Sequence, residues 1–140
     1  MEKTRLTQNP RCFLVHALAP AATPAAEANR QFNAFVADHS LPLAITHDHF
    51  IGQPGGFAIF YVSSVAERDV LLNNNHLLGW EVGIHPLIFS RSPAGFDEQT
   101  SFTLRAYRDE DWERLQRENR PVYGDPRREA ESAEEDVEKR

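Results

Sequence analysis

Cysteine is almost missing from this chain: its 140 residues include one, Cys12. That excludes an intrachain disulfide and points to a reducing, cytoplasmic setting. Long apolar runs are missing too. None approaches the roughly 18 residues that a membrane-spanning helix needs. Positive charge is scarce, with 15 Lys and Arg against 21 Asp and Glu and a net charge of -6. The basic footprint of a nucleic-acid partner is therefore lacking. The sequence also holds no GxSxG elbow, Walker loop, GxGxxG or CxxC. Each of those would have named a nucleophile, a nucleotide or a redox couple.

What remains is ordinary in bulk. Hydrophobic residues make up 41% and charged residues 26%, which suits one compact domain with a real core. Acidity is concentrated at the end, where residues 125–140 carry seven acids and four bases. Residues 1–10 read as a flexible arm and 11–92 as the folded domain. Residues 93–124 read as a C-terminal extension with a short strand and a helix. Residues 125–140 read as a charged disordered tail. Cys12 to Ala22 follows Lys3, Arg5 and Arg11 and mimics a secretory leader. Its loss would remove the strand best suited to pair with 57–62, so it reads as a buried strand.

The centre of the pattern is Gly55 to Val62 (GGFAIFYV), uncharged and rich in aromatic and β-branched residues. Both of its faces are apolar, which predicts a central strand. Cys12 to Leu18 reads as a second strand of that kind. Between them, Thr23-Pro24 opens a helix with Ala28, Phe32, Phe35 and Val36 on one face, and Pro42 ends it. Ala44 to Ile51 is a more polar strand, joined to the central one by the breaker-rich turn 52–56. Ser64-x-x-Glu67 is a capping box for a helix burying Val65, Ala66, Val70 and Leu72 or nearby apolar positions. Val82 to Phe89 is the last strand, and Pro86 assigns it to a sheet edge. Beyond it, Ser101 to Tyr107 reads as a short strand or extended arm. Asp109 caps a helix anchored by Trp112 and Leu115.

This order predicts an α+β, ferredoxin-like β-α-β-β-α-β antiparallel sheet, order 4-1-3-2, with two helices on one face. The other face is expected to present Phe13, Val15, Phe57, Ile59 and Tyr61. Such an apolar surface is rarely left bare. A second copy of the chain, the C-terminal segment or a flat ligand would cover it.

Two resemblances attach to these residues. Element order and the two-faced sheet are similar to the ferredoxin-like dimeric α+β-barrel superfamily, including its YciI-like and muconolactone-isomerase-like groups. That resemblance implies a homodimer and a small apolar or aromatic ligand between sheet and helices. It also admits a cofactor-independent isomerase, lyase or monooxygenase using strand histidines. The stretch Gly56-Phe57-Ala58 resembles the RNP1 strand of RNA-recognition motifs, with Phe13 as the RNP2 aromatic. Gly55 stands at its basic position and Ile59 at its second aromatic one. That resemblance implies single-stranded RNA binding.

The histidines are the candidate chemistry. His47 and His49 point one way from a strand and Asp48 the other. With His85 they are the candidate acid–base residues. His16, Phe13, Phe57, Ile59 and Tyr61 are the candidate ligand-binding residues. Two imidazoles at i and i+2 fall short of a metal site, and no metal or cofactor is expected. Cys12 reads as a buried structural thiol. The expected partners are a second copy of the chain and a small molecule, with neither membrane nor nucleic acid.

Overall fold

A computed structural model describes residues 10–119. The N-terminal arm before Pro10 and the charged tail lie outside the described residues. Two compact units divide between Asp97 and Glu98.

The first unit is the expected sheet and helices. Its strands are β1 (Arg11–Leu18), β2 (Leu43–His49), β3 (Gly55–Val62) and β4 (Glu81–Pro86). The order β2-β3-β1-β4 is 4-1-3-2 read from the opposite edge. All three pairings are antiparallel. Helices α1 (Ala25–Ala37) and α2 (Val65–Leu72) complete the β-α-β-β-α-β order. Phe13, Val15, Ala17, Ala58, Phe60 and Val62 of the central strands join Ala28, Phe32, Phe35 and Leu71 of the helices in one core. Trp80 closes it at one end. Its ring stacks on Phe32 at 6.2 Å, and its Nε1 donates to Gln31 Oε1 at 3.0 Å.

Several boundaries differ from expectation. Thr23 does not cap α1. Its hydroxyl donates to the Pro20 carbonyl at 2.7 Å, and Pro24 takes the N-cap position without a side-chain bond. The Ser64 cap of α2 does form: Ser64 Oγ accepts from Glu67 N at 3.1 Å. The Glu67 carboxylate reaches back to Ser63 N–H at 3.2 Å rather than to Ser64 itself. The buried residue of α2 is Leu71, fully enclosed, while Val70 and Leu72 face solvent. An eight-residue helix presents little more than one inward position per turn, and the cap sets which one. The last strand stops at Pro86, and Ile88 and Phe89 are exposed. The Cys12 backbone still bonds beyond it, donating to Ser90 O and accepting from Leu87 N, each at 2.9 Å.

The face assignment of β1 also differs. Phe13 pairs with Phe60 and Val15 with Ala58, and paired residues share a face. Phe13 and Val15 therefore lie under the helices. Cys12, Leu14, His16 and Leu18 share the second face with Phe57, Ile59 and Tyr61. In β2 the register shifts between Ala44 and Thr46, which leaves Ile45 as the extra residue of a bulge.

The second unit begins at Glu98. Helix α3 (Pro93–Arg108) runs across that boundary, and α4 (Trp112–Glu118) follows. Ser101 to Tyr107 is thus helical, not a strand. Its Phe, Thr and Tyr favour strands only where a sheet partner is at hand, and its Leu and Ala favour a helix. Asp111, not Asp109, caps α4 by accepting from Glu113 N at 3.0 Å.

The Gly55–Gly56 pair is required by crowding. A Cβ on Gly55 would lie 2.3 Å from the Ala17 carbonyl oxygen, and one on Gly56 2.5 Å from that of Asp48. Gly55 also has φ +153°. Gly52 has φ +88° but nothing within 4 Å of a Cβ. Gly55→Ala is expected to cost about 3 kcal/mol or more, by clash and backbone strain together. Gly52→Ala should cost only the left-handed backbone strain, about 1 kcal/mol. Urea unfolding of the two variants checks the difference, and equal midpoints would contradict it.

Candidate functional site

Strand alternation and register separate the candidate residues into two groups. The first stands on the helix side of β2. His47 pairs with Ala58 and His49 with Gly56. Their rings are 5.7 Å apart and nearly perpendicular. His49 is held by α1: its Nε2 lies 3.0 Å from Asn33 Oδ1, and Phe32 meets its ring edge-on at 5.8 Å. With Asn33 Oδ1 as acceptor, Nε2 carries the proton. Nδ1 is then a lone pair, buried and without a partner. Burial, with His47 adding to it, lowers the His49 pKa against the opposing pull of Asp48. This imidazole is held neutral with both nitrogens turned inward. It is a poor proton shuttle, because a general base must reach the proton it removes.

Asp48 does not orient either ring. Its Oδ1 accepts from the His49 backbone N–H at 2.8 Å, and its side chain is on the opposite face.

The second group gathers on the face away from α1 and α2. One row across the sheet runs Asp48, Phe57, His16, Gly83. The next runs Thr46, Ile59, Leu14, His85, and Tyr61 sits between Leu43 and Cys12 in a third. Ile59 is 7% exposed and Cys12 fully buried. Leu14, Phe57 and Tyr61 are half-buried, while His16, His85, Thr46 and Asp48 are exposed. The His16 ring packs on Phe50 at 5.4 Å. His85 folds back along its strand, so that a Cβ on Gly83 would meet its Nε2 at 3.1 Å. His85 Nε2 thus stands above the residue paired with His16.

Of the sequence candidates, Phe57, Ile59, Tyr61, His16 and His85 are brought together. His47 and His49 lie on the other side of the sheet. Phe13, 6% exposed and beneath the helices, is removed from the ligand face. Leu14 takes its place there. Asp48, Phe50 and Leu14 were missed. Register was the signal for Asp48 and Leu14: each is next to a chosen residue but of opposite parity. Among the described residues, no three His, Cys, Asp or Glu side chains assemble into a metal site. No family model, curated protein or solved structure matches this chain.

The half-buried, neutral His49 makes stability fall in acid. Its folded pKa is lowered from the ordinary 6.5, so below that value the unfolded chain takes up a proton that the folded chain resists. The contribution of His49 is complete above pH 6.5 and is lost as pH falls through the lowered value. His49→Gln, which keeps a partner for Asn33 and does not titrate, should lose less stability from pH 7 to pH 5 than the parent chain. Parallel slopes in urea unfolding across that range would refute this.

Proposed function

We propose that this is a homodimeric binding protein rather than a catalyst, and that it holds a small apolar or aromatic ligand on the β1–β3 face with a second copy closing over it. One observation carries the reading: Leu14, Phe57, Ile59 and Tyr61 form an apolar centre bordered by Thr46 and Asp48 on β2, His85 on β4 and His16 in the next row of β1. A dry centre within a polar rim is the anatomy of a binding surface. The layer between sheet and helices is less suitable for a ligand, because Phe32, Phe35, Phe60, Leu71 and Val15 already fill it. The isomerase-like alternative needs acid and base converging on one substrate. His47 and His49 stand on one side of the sheet and His85 on the other, which favours binding. The RNA alternative loses its β1 aromatic, since Leu14 rather than Phe13 is on the stacking face.

Light scattering should give twice the 15.9 kDa chain mass. Leu14→Arg places a charge at the centre of the face and should yield a folded monomer, its circular dichroism unchanged. A parent chain that is monomeric at high concentration, or a Leu14→Arg variant that stays dimeric, would overturn the face-to-face assembly.

A further inference from the structure

We propose that helix α3 is a contact between copies of this chain, in which two α3 helices pair antiparallel about a two-fold axis beside Ser101 and Phe102. This contact is separate from the β1–β3 face. It draws only on residues of the second unit, from Glu98 onward.

The observation is a charge pattern that complements itself on reversal. Glu98, Ser101, Phe102 and Arg105 follow the spacing i, i+3, i+4, i+7 and so share one stripe of α3. With Ala106 they line an open hollow. Phe102, in the middle, is 57% exposed. Glu98 stands one turn before it and Arg105 nearly one turn after, and both are exposed. Neither takes part in an ion pair among the described residues. In α4, by contrast, Arg114 pairs with both Glu110 and Glu118. Seven positions put Glu98 and Arg105 about 10 Å apart along the helix, too far to pair with each other.

A second α3, turned end for end, brings its Arg105 to Glu98 and its Glu98 to Arg105. The same placement sets each Phe102 over the partner copy's small Ser101, at the hollow. Contacts that are reciprocal in this way define a two-fold interface. A parallel pair would instead set Glu98 on Glu98 and Arg105 on Arg105, which like-charge repulsion disfavours. The contact is small. A four-residue stripe falls short of the ~1,200 Å² of a stable interface, so the pairing is weak and populated only in concentrated solution. Its ion pairs are exposed. They fix orientation more than affinity, and salt weakens them.

The test places a thiol beside the axis. Cys12 is fully buried, so a full-length Ser101→Cys chain carries one accessible thiol. Mild oxidation of a concentrated, low-salt sample should link two copies severalfold faster than it links Thr103→Cys, whose exposed position is on the other side of α3. Raising the salt to ~0.5 M should slow the linkage. Added to Ser101→Cys, either Glu98→Arg or Arg105→Glu should slow it about tenfold, because two attractive pairs become two repulsive ones. An equal mixture of those two variants should recover the original rate, since each then meets its opposite charge in the other. A role for either charge within its own helix predicts no such recovery. Equal linkage at the two thiol positions, charge variants that link at the original rate, or a mixture without recovery would each overturn the antiparallel pairing. None of these outcomes bears on the β1–β3 face, which Leu14→Arg tests.

Discussion

The antiparallel contact of β1 with β3 is the constraint on which the rest depends. These strands approach closely enough that Gly55 has no room for a Cβ beside the Ala17 carbonyl. That approach begins the ladder that runs from Leu18↔Gly55 to Arg11↔Val62. Once it is in place, every side chain on both strands has a fixed face. The helices must cover Phe13, Val15, Ala58 and Phe60. What they leave is Leu14, His16, Phe57, Ile59 and Tyr61. The core and the candidate site are thus two results of one register. A one-residue slip would exchange them.

Much of the architecture was legible before the structure. The breakers, the Ser64 cap and the two doubly apolar strands gave the element order, and Pro86 and the polar β2 gave the edges. The faces were harder to read, for a physical reason. A strand that is apolar on both sides carries no contrast between its odd and even positions. Nothing in CFLVHAL shows that its even positions meet the odd positions of GGFAIFYV. Only the pairing does, and so Phe13 was placed on the wrong side. The bulge at Ile45 is equally silent in sequence. Ser101 to Tyr107 shows another limit: strand-favouring residues become helical where no sheet edge accepts them. In α2, alternation of apolar residues left the inward position open until the cap fixed Leu71.

The histidines show how the same register separates chemistry from structure. His47 and His49 look like a pair in the sequence. In the fold, His49 is a packing residue that faces Asn33 and Phe32, at the cost of a buried nitrogen without a partner. Such a group weakens a structure in acid, as its lowered pKa implies. His16 and His85 look unrelated, 69 positions apart, yet β1 and β4 bring them to neighbouring rows.

Asp48 ties these two sets together. It follows one inward histidine and precedes another, so alternation turns it to the far face. Its backbone neighbour, the His49 N–H, occupies one of its oxygens and so holds the carboxylate close to the strand. That carboxylate stands beside Phe57, its partner on β3, on the face that also carries His16.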